Sequence, residues 1–140
     1  MGIDPGTKRV GVAIAEDDDA MLADARATLA HVSHVDTARQ IAQLARDERI
    51  GEIVVGLPIG LDGREGLSSR HARALAAAVE QATKLPVVLW DERMTSAAAH
   101  RALGASNVST RNRKGKVDRI AAALLLESYL DAVRARRDRE

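Results

Sequence analysis

Cysteine is absent from the 140 residues, and its absence excludes disulfide bonds and thiolate metal sites. Nothing in the sequence calls for an oxidising compartment, so we expect a cytoplasmic protein. No apolar run approaches the roughly 18 residues needed to span a bilayer. The N-terminus also lacks the basic and then apolar pattern of a signal peptide. We therefore expect no membrane partner.

Phenylalanine is also absent, and Trp90 and Tyr129 are the sole aromatic residues. Hydrophobic residues still make up 46% of the chain, so the core must be built from Ala, Val, Leu and Ile. Such a core favours helices packed closely on a sheet. Few aromatic rings also mean few stacking platforms for unpaired bases. Any recognition of nucleic acid should therefore depend on backbone charge and shape.

A large excess of either charge is missing as well, because 21 basic residues are balanced by 20 acidic ones. Bulk charge alone therefore does not indicate a nucleic-acid-binding protein. The charges are nevertheless segregated along the chain. Residues 111–116 read Arg-Asn-Arg-Lys-Gly-Lys, whereas residues 16–19 read Glu-Asp-Asp-Asp. Local distribution is thus more informative than net charge.

The apolar pattern predicts one domain over residues 1–140, since this length has room for a single sizeable core. The predicted strands are Met1–Asp4, Val10–Ala15, Met21–Leu29, Ile53–Leu57 and Val87–Trp90. The predicted helices run over 35–45, from Ser68 until Pro86 closes the helix, from Thr95 or Ser96 to Leu103, and from about Gly115 onward. This order indicates an α/β domain whose later strands are parallel and buried on both faces.

Asp118 is the most informative single residue. Helical spacing from it leads to Ala122, Leu125 and Tyr129, so its carboxylate lies on an apolar stripe. A carboxylate facing a core costs several kcal/mol unless a cation, a hydrogen-bond donor or a metal compensates it. We therefore expect a partner for Asp118. On periodicity alone, a solvated acid in the first turn of a helix is an equally good alternative.

Further acidic residues follow two predicted strands. Asp4 ends the first strand, and open α/β sheets gather ligands at strand ends, although an Asp before Pro-Gly is more often a simple turn residue. Asp91 and Glu92 end a later strand, where the period of two sends them to opposite faces. At most one of them can share a site with Asp4. Alternation does not decide which of the two faces Asp4. The alternative to a shared site is an exposed charge pair with Arg93.

Three carboxylates converging from two strand ends and a helix would offer hard oxygen ligands to Mg²⁺ or Mn²⁺. Two such ions about 4 Å apart can activate water and stabilise the leaving oxygen during phosphodiester cleavage. The four histidines show no paired metal spacing, and we predict solvated or structural roles for His31, His34, His71 and His100. The predicted site is therefore a carboxylate site.

A basic segment precedes Asp118 and would place cations where a phosphate backbone must approach the acids. Its charged residues are Arg111, Arg113, Lys114 and Lys116. Residues 104–114 lack apolar periodicity, so we expect them to be mobile. A solvated, disordered loop is the alternative reading of the same segment.

Four ordered motifs carry a family likeness. They read Gly2-Ile3-Asp4-Pro5-Gly6-Thr7-Lys8-Arg9-Val10-Gly11-Val12-Ala13, then Val55-Gly56-Leu57-Pro58 with Asp62-Gly63, then Asp91-Glu92-Arg93 before Thr95, and then Lys114-Gly115-Lys116-Val117-Asp118 with Ala121-Ala122. Over nearly the whole chain the sequence resembles the YqgF/RuvX family of pre-16S rRNA nucleases, which are similar to Holliday junction resolvases.

The resemblance implies a ribonuclease H-like α/β fold, in which helices flank a mixed five-stranded sheet that carries a metal-dependent nuclease site. It assigns the catalytic and metal-binding acids to Asp4, Glu92 and Asp118, so the choice of Glu92 over Asp91 depends on the resemblance. Arg93 joins the basic segment as a candidate nucleic-acid-binding residue. The implied role is maturation of the 5′ end of the 16S ribosomal RNA precursor.

Three hypotheses follow for the function. The first is a nuclease on structured RNA, with the ribosome as a further candidate partner. The second is a resolvase on branched DNA, which needs two active sites and hence a homodimer rather than a monomer. The third is a non-catalytic module that binds RNA or the ribosome.

Two further features of the N-terminal segment enter these expectations. Asp4 through Gly11 also resembles the phosphate-binding loop of actin-like ATPases and sugar kinases, but those proteins need two such domains to enclose a nucleotide.

Similar nucleases usually carry several apolar or basic residues before the Gly-Ile-Asp segment, whereas only Met1 precedes Gly2 here. The first strand therefore looks clipped, either because the recorded start lies too far downstream or because the chain has been shortened.

Overall fold

The computed structural model describes residues 1–60, 62–95 and 111–140, with the backbone alone for 111–114. Its strands are β1 (Gly2–Pro5), β2 (Arg9–Ile14), β3 (Asp24–Ala30), β4 (Ile53–Leu57) and β5 (Val87–Asp91). They form one mixed sheet in the order β3-β2-β1-β4-β5. β1 pairs antiparallel with β2, and β2 with β3, whereas β1, β4 and β5 run parallel. The predicted mixed five-stranded sheet is confirmed.

Strand β5 differs from its prediction in burial. It stands at the edge of the sheet, next to β4, and all five of its residues are half-buried. β4 is buried along its whole length, as expected of a strand covered on both faces. The apolar run Val87–Trp90 suggested the same for β5, but an edge strand has one neighbour and keeps partial contact with solvent.

Within the described ranges, three α-helices cover the two faces of the sheet: α1 (His34–Asp47), α2 (Leu67–Thr83) and α3 (Arg111–Asp138). α1 begins after Ser33, whose hydroxyl accepts a hydrogen bond from the backbone N–H of Asp36. α2 begins after Gly66 and not at the predicted Ser68 cap, which lies inside its first turn. It ends at Thr83, because the next residue, Lys84, has a positive φ of 61° that stops the helix before Pro86.

Helix α3 begins at Arg111, four residues before the predicted start near Gly115. The prediction followed apolar periodicity, and the first turn of α3 is polar but consists mainly of Arg and Lys, which are good helix formers. Residues 111–114 of the predicted loop are therefore helical. The rest of that loop and the helix predicted to end at Leu103 lie outside the described residues, except that Thr95 has an extended backbone.

The two faces of the sheet carry different side chains. One face packs large aliphatic residues against α1 and α2, among them Ile3, Val10, Val12 and Val55. The other face packs small residues of β1, β2 and β4 against α3. Among the described residues, no helix is both long enough and apolar enough to cross a membrane.

Candidate active site

Asp4 is a buried carboxylate at the end of β1, with 5% of the residue exposed. Its neighbour Ile3 belongs to the core under α1 and α2, so strand alternation directs Asp4 to the face covered by α3. The turn after it is tight, because the N–H of Gly6 donates to the Asp4 carbonyl at 3.1 Å. A Cβ on Gly6 would lie 2.1 Å from the carbonyl oxygen of Arg9, so this turn requires glycine.

Gly11 brings Asp118 to the same place. In the antiparallel pairing of β1 and β2, Gly11 is the partner of Asp4. A Cβ on Gly11 would lie 1.9 Å from the carbonyl oxygen of Asp118, so the strand and the backbone of α3 touch at this point. Asp118 therefore lies over the β1–β2 pair, on the face and at the level of Asp4.

Arg9 is the partner that the sequence predicted Asp118 must have. Its Nε donates to Oδ2 of Asp118 at 2.9 Å, and the Asp118 side chain is 13% exposed. Asp118 lies two turns inside α3, so it is not the solvated first-turn acid of the alternative reading. The ion pair compensates part of the cost of burying this carboxylate. The contact uses Oδ2, and Oδ1 can still ligate a metal.

Asp91 and Glu92 have separate roles at the end of β5. Asp91 caps the 3₁₀ turn Glu92–Met94 by accepting from the backbone N–H of Arg93 at 2.8 Å. The Arg93 side chain also binds both carboxylate oxygens of Asp91, at 2.8 to 3.2 Å. This hydrogen bonding by Arg93 lowers the pKa of Asp91. Asp91 is thus engaged in a local structural ion pair.

Glu92 follows β5 on the same sheet edge as Asp4, because β1, β4 and β5 run parallel. Trp90, within β5, packs against α3, whereas Glu92 is the first residue of the 3₁₀ turn, where strand alternation no longer fixes the direction of a side chain. Oε1 of Glu92 and Oδ2 of Asp4 are both shielded from solvent. Since Arg93 engages Asp91, Glu92 stays the predicted metal-binding acid of this pair, as the family resemblance implies.

Ser128 of α3 links that helix to the turn that contains Glu92. Its hydroxyl donates to the carbonyl of Met94 at 2.8 Å and accepts from Nε1 of Trp90 at 3.2 Å. Trp90 also packs edge to face on Tyr129, with ring centroids 5.4 Å apart. The end of β5 is therefore tied to the same helix that carries Asp118.

The basic segment occupies the first two turns of α3 rather than a loop. Lys116 is exposed, whereas the side chains of Arg111, Arg113 and Lys114 lie outside the described part of the structure. Arg93 keeps 46% of its side chain exposed while it pairs with Asp91. Of the predicted nucleic-acid-binding residues, Lys116 and Arg93 are thus the two whose side chains are described.

Sequence reasoning missed Arg9, Gly11 and Ser128. The alternation of β2 carried a signal for the first two, because Arg9, Gly11 and Ala13 share one face of a strand. Small residues on that face leave room for a helix backbone. An arginine at the end of the strand has a side chain long enough to reach an acid on the helix. Ser128 carried no such signal, because its partners come from a strand and a turn far away in sequence.

Two solved structures from Thermus thermophilus share this architecture. RuvC in complex with a Holliday junction substrate aligns with a TM-score of 0.55 at 13% identity, over 94% of this chain and 93% of that chain. A second RuvC structure aligns with a TM-score of 0.56 at 16% identity, over 94% of each chain. These similarities establish the ribonuclease H-like fold that the motifs implied.

Curated relatives extend the comparison to sequence. A protein of Syntrophus aciditrophicus is 41% identical over 133 residues, which cover 95% of this chain and 88% of the relative. A protein of Anaeromyxobacter dehalogenans strain 2CP-C is 42% identical, over 94% of this chain and 95% of the relative. Both carry the name "Putative pre-16S rRNA nuclease". The family described as "RuvX: Holliday junction resolvase" matches residues 1–132, and the chain belongs to this family.

Proposed function

We propose that this chain is a divalent-metal-dependent nuclease that cleaves phosphodiester bonds while the 5′ end of the 16S ribosomal RNA precursor matures in the cytoplasm. The observation that carries the proposal is the contact between Gly11 and the backbone of Asp118, which sets that acid beside buried Asp4. The names of the relatives support the choice of RNA as the substrate. The catalytic acids of the proposal are Asp4, Glu92 and Asp118.

The donor set fits Mg²⁺ or Mn²⁺. Three carboxylates are hard oxygen ligands, which these ions prefer to the imidazoles and thiolates that suit zinc. When bound, such ions activate water and neutralise the charge that develops on a phosphodiester. The protein positions the ligands: Arg9 orients Asp118, and Ser128 holds the turn that carries Glu92.

The start of α3 suits a phosphate backbone. Cations are unfavourable at a helix N-terminus, where the dipole already presents positive charge, yet the first six residues of α3 include four of them. An anion at this end removes the conflict by binding both the cations and the dipole. We propose that Arg111, Arg113, Lys114 and Lys116 hold RNA phosphates, with Arg93 contributing from the turn after β5.

Cleavage of precursor 16S ribosomal RNA in Mg²⁺ or Mn²⁺ tests the proposal. Asp118→Asn should lower the cleavage rate by about 100-fold or more, because it removes a metal ligand. The matched control is Asp131→Asn on the same helix, since the Asp131 side chain is 65% exposed and pairs with Arg134. Undiminished cleavage by Asp118→Asn would refute the mechanism.

The description of the family supports a second candidate substrate, a four-way DNA junction. A junction resolvase needs two active sites related by symmetry, so this candidate requires a homodimer. Cleavage of four-way junctions in preference to precursor RNA, by a protein that sediments as a dimer, would select this substrate. A strictly monomeric protein would count against it.

A non-catalytic binding module gives a different pair of results. Calorimetry would detect no Mn²⁺ binding, and RNA binding would survive replacement of all three acids by their amides. The nuclease instead predicts that Mn²⁺ binding weakens in Asp4→Asn and Asp118→Asn.

A further inference from the structure

Three histidines meet on the face of the sheet opposite the carboxylates. His31 follows β3, His34 is the first residue of α1, and His71 lies in the second turn of α2. Their ring centroids are 4.9 to 5.2 Å apart. One ring nitrogen from each lies within 4.8 Å of the other two. The sequence predicted only solvated or structural roles, because no spacing along the chain links His71 to the other two.

Hydrogen bonds orient two of the three rings from outside the cluster. Nε2 of His71 donates to the carbonyl of Gly6 at 2.9 Å, which leaves Nδ1 with a free lone pair. Nδ1 of His31 is 2.7 Å from the hydroxyl of Thr37, a fully buried residue. Histidines that ligate metals usually make such a contact through the nitrogen that does not bind the ion.

His34 supplies the third donor. Its Nδ1 is buried and has no hydrogen-bond partner among the described residues. A buried polar atom without a partner is costly, and a bound cation would remove that cost.

We propose that His31, His34 and His71 form a binding site for a borderline divalent transition-metal ion of the Zn²⁺ type, separate from the carboxylate site. Three imidazoles select Zn²⁺, Co²⁺, Ni²⁺ or Cu²⁺ over Mg²⁺ and Mn²⁺. All three residues are half-buried, so solvent can supply the ion and a fourth, water ligand.

The distances fit this ion after a small adjustment. Nitrogens 4.8 Å apart at most lie no more than about 2.8 Å from a common centre, and a zinc–nitrogen bond is about 2.0–2.1 Å long. Each ring would therefore move inward by roughly 0.7 Å at most, which a change of side-chain torsion can provide.

The proposed ion would join three elements: the start of α1, the body of α2 and, through His71 and Gly6, the turn between β1 and β2. Any ligand that binds the folded chain alone stabilises it, so Zn²⁺ should raise the Tm of the protein. This proposal does not rest on the nuclease activity, because binding and stability are its readouts.

Spectroscopy and calorimetry on the full chain, stripped of metal by a chelator, test the site. In excess Mg²⁺, we expect one Zn²⁺ to bind per chain, and one Co²⁺ to give the visible spectrum of a four-coordinate ion. His34→Ala and His71→Ala should each weaken Zn²⁺ binding by at least about tenfold and reduce the rise in Tm. His34→Gln, a milder change at the start of α1, serves if an alanine variant does not fold.

Two controls separate this site from other histidines and from the acids. His100→Ala, at the fourth histidine, should bind Zn²⁺ like the wild type. Asp118→Asn should also keep the Zn²⁺ site while it loses nuclease activity. The proposal is overturned if no Zn²⁺ binds in excess Mg²⁺, if folded His34 and His71 variants bind it unchanged, or if Asp118→Asn abolishes binding.

Discussion

The two faces of the sheet differ in how closely their helices approach. Under α1 and α2, branched and long side chains such as Ile3, Ile41 and Leu75 fill the space between the layers. Under α3, a Cβ on Gly2 would lie 2.8 Å from Cβ of Leu126, and one on Gly11 would lie 1.9 Å from a backbone oxygen. The first face is therefore filled by large side chains, whereas the second combines a smaller apolar cluster with glycines that let α3 approach the strands.

We infer from this difference that the α1/α2 face contributes most of the stability and that the α3 face positions the proposed acids. Large apolar residues contribute most of the free energy of burial, roughly 25 cal/mol per Å² removed from water. Glycines contribute little burial but let a helix backbone touch a strand, so a residue on that helix is placed with little freedom. Substitutions on the two faces should consequently separate stability from activity.

The largest change in stability should come from the α1/α2 face. Leu75→Ala removes a fully buried side chain and should lower the free energy of unfolding by about 2–5 kcal/mol. Urea unfolding measures the loss. Leu67→Ala on the same helix is the control, because Leu67 is 78% exposed and its loss should cost about 0.5 kcal/mol or less. The fraction of Leu75→Ala that stays folded should cleave RNA at the normal rate.

Gly11→Ala should impair cleavage more than stability, which is the reverse of the expectation for Leu75→Ala. The added methyl forces α3 away from β2, which should cost about 1–3 kcal/mol and displace Asp118. Cleavage by the folded protein should therefore fall far more than in Leu75→Ala. Gly51→Ala is the matched control, since a Cβ there meets nothing within 4 Å. Normal cleavage by folded Gly11→Ala would show that the close contact does not position the acid.

Ser128→Ala should have a smaller effect on stability and a measurable one on cleavage. It removes the hydroxyl that links Trp90 to the Met94 carbonyl, which should cost about 1 kcal/mol. If the link positions the turn that carries Glu92, then kcat falls and Ser128→Thr, which restores a hydroxyl, recovers part of it. Ser68→Ala, an exposed serine in α2, controls for the loss of a hydroxyl. Equal cleavage by Ser128→Ala and wild type would exclude a positioning role.

Arg93→Gln should have the smallest effect on stability at neutral pH, because the pair that it breaks is partly exposed. Arg93 lowers the pKa of Asp91 from its usual 3.8 in the folded state. The stabilisation by this ion pair is therefore complete above the pKa of Asp91 in the unfolded chain. It is lost as pH falls through the lower pKa of Asp91 in the folded chain. Urea unfolding at pH 7 and under acid conditions should show a difference only at pH 7. A difference that persists in acid would contradict this origin.

Sequence periodicity predicted β4 better than the helix starts or β3, which begins at Asp24 and not at the predicted Met21. Ile53–Leu57 matches β4 residue for residue, because Gly51 and Pro58 bound an apolar run on both sides. The starts at Ser68 and Gly115 were wrong, because a plausible cap and an apolar stripe do not fix where the first hydrogen-bonded turn closes. β5 was assigned more burial than it has, since an apolar run does not reveal an edge position.

The candidate site was predictable only in part. Helical spacing indicated that Asp118 needs a partner, but only the fold shows that Arg9 provides it. The roles of Asp4, Glu92 and Asp118 came from the family resemblance and stay predictions. The histidine cluster was beyond sequence reasoning, because its three members come from a loop and two helices that meet only in the folded chain.

The ion pair between Arg9 and Asp118 joins residues 109 positions apart. Contacts of such long range close late in folding, after the local hairpins and helices have formed. The hairpin that carries Asp4 and Arg9 is synthesised long before α3. A nascent chain that has not yet formed α3 lacks Asp118, so under the proposed function it should not cleave RNA, the RNA of its own ribosome included.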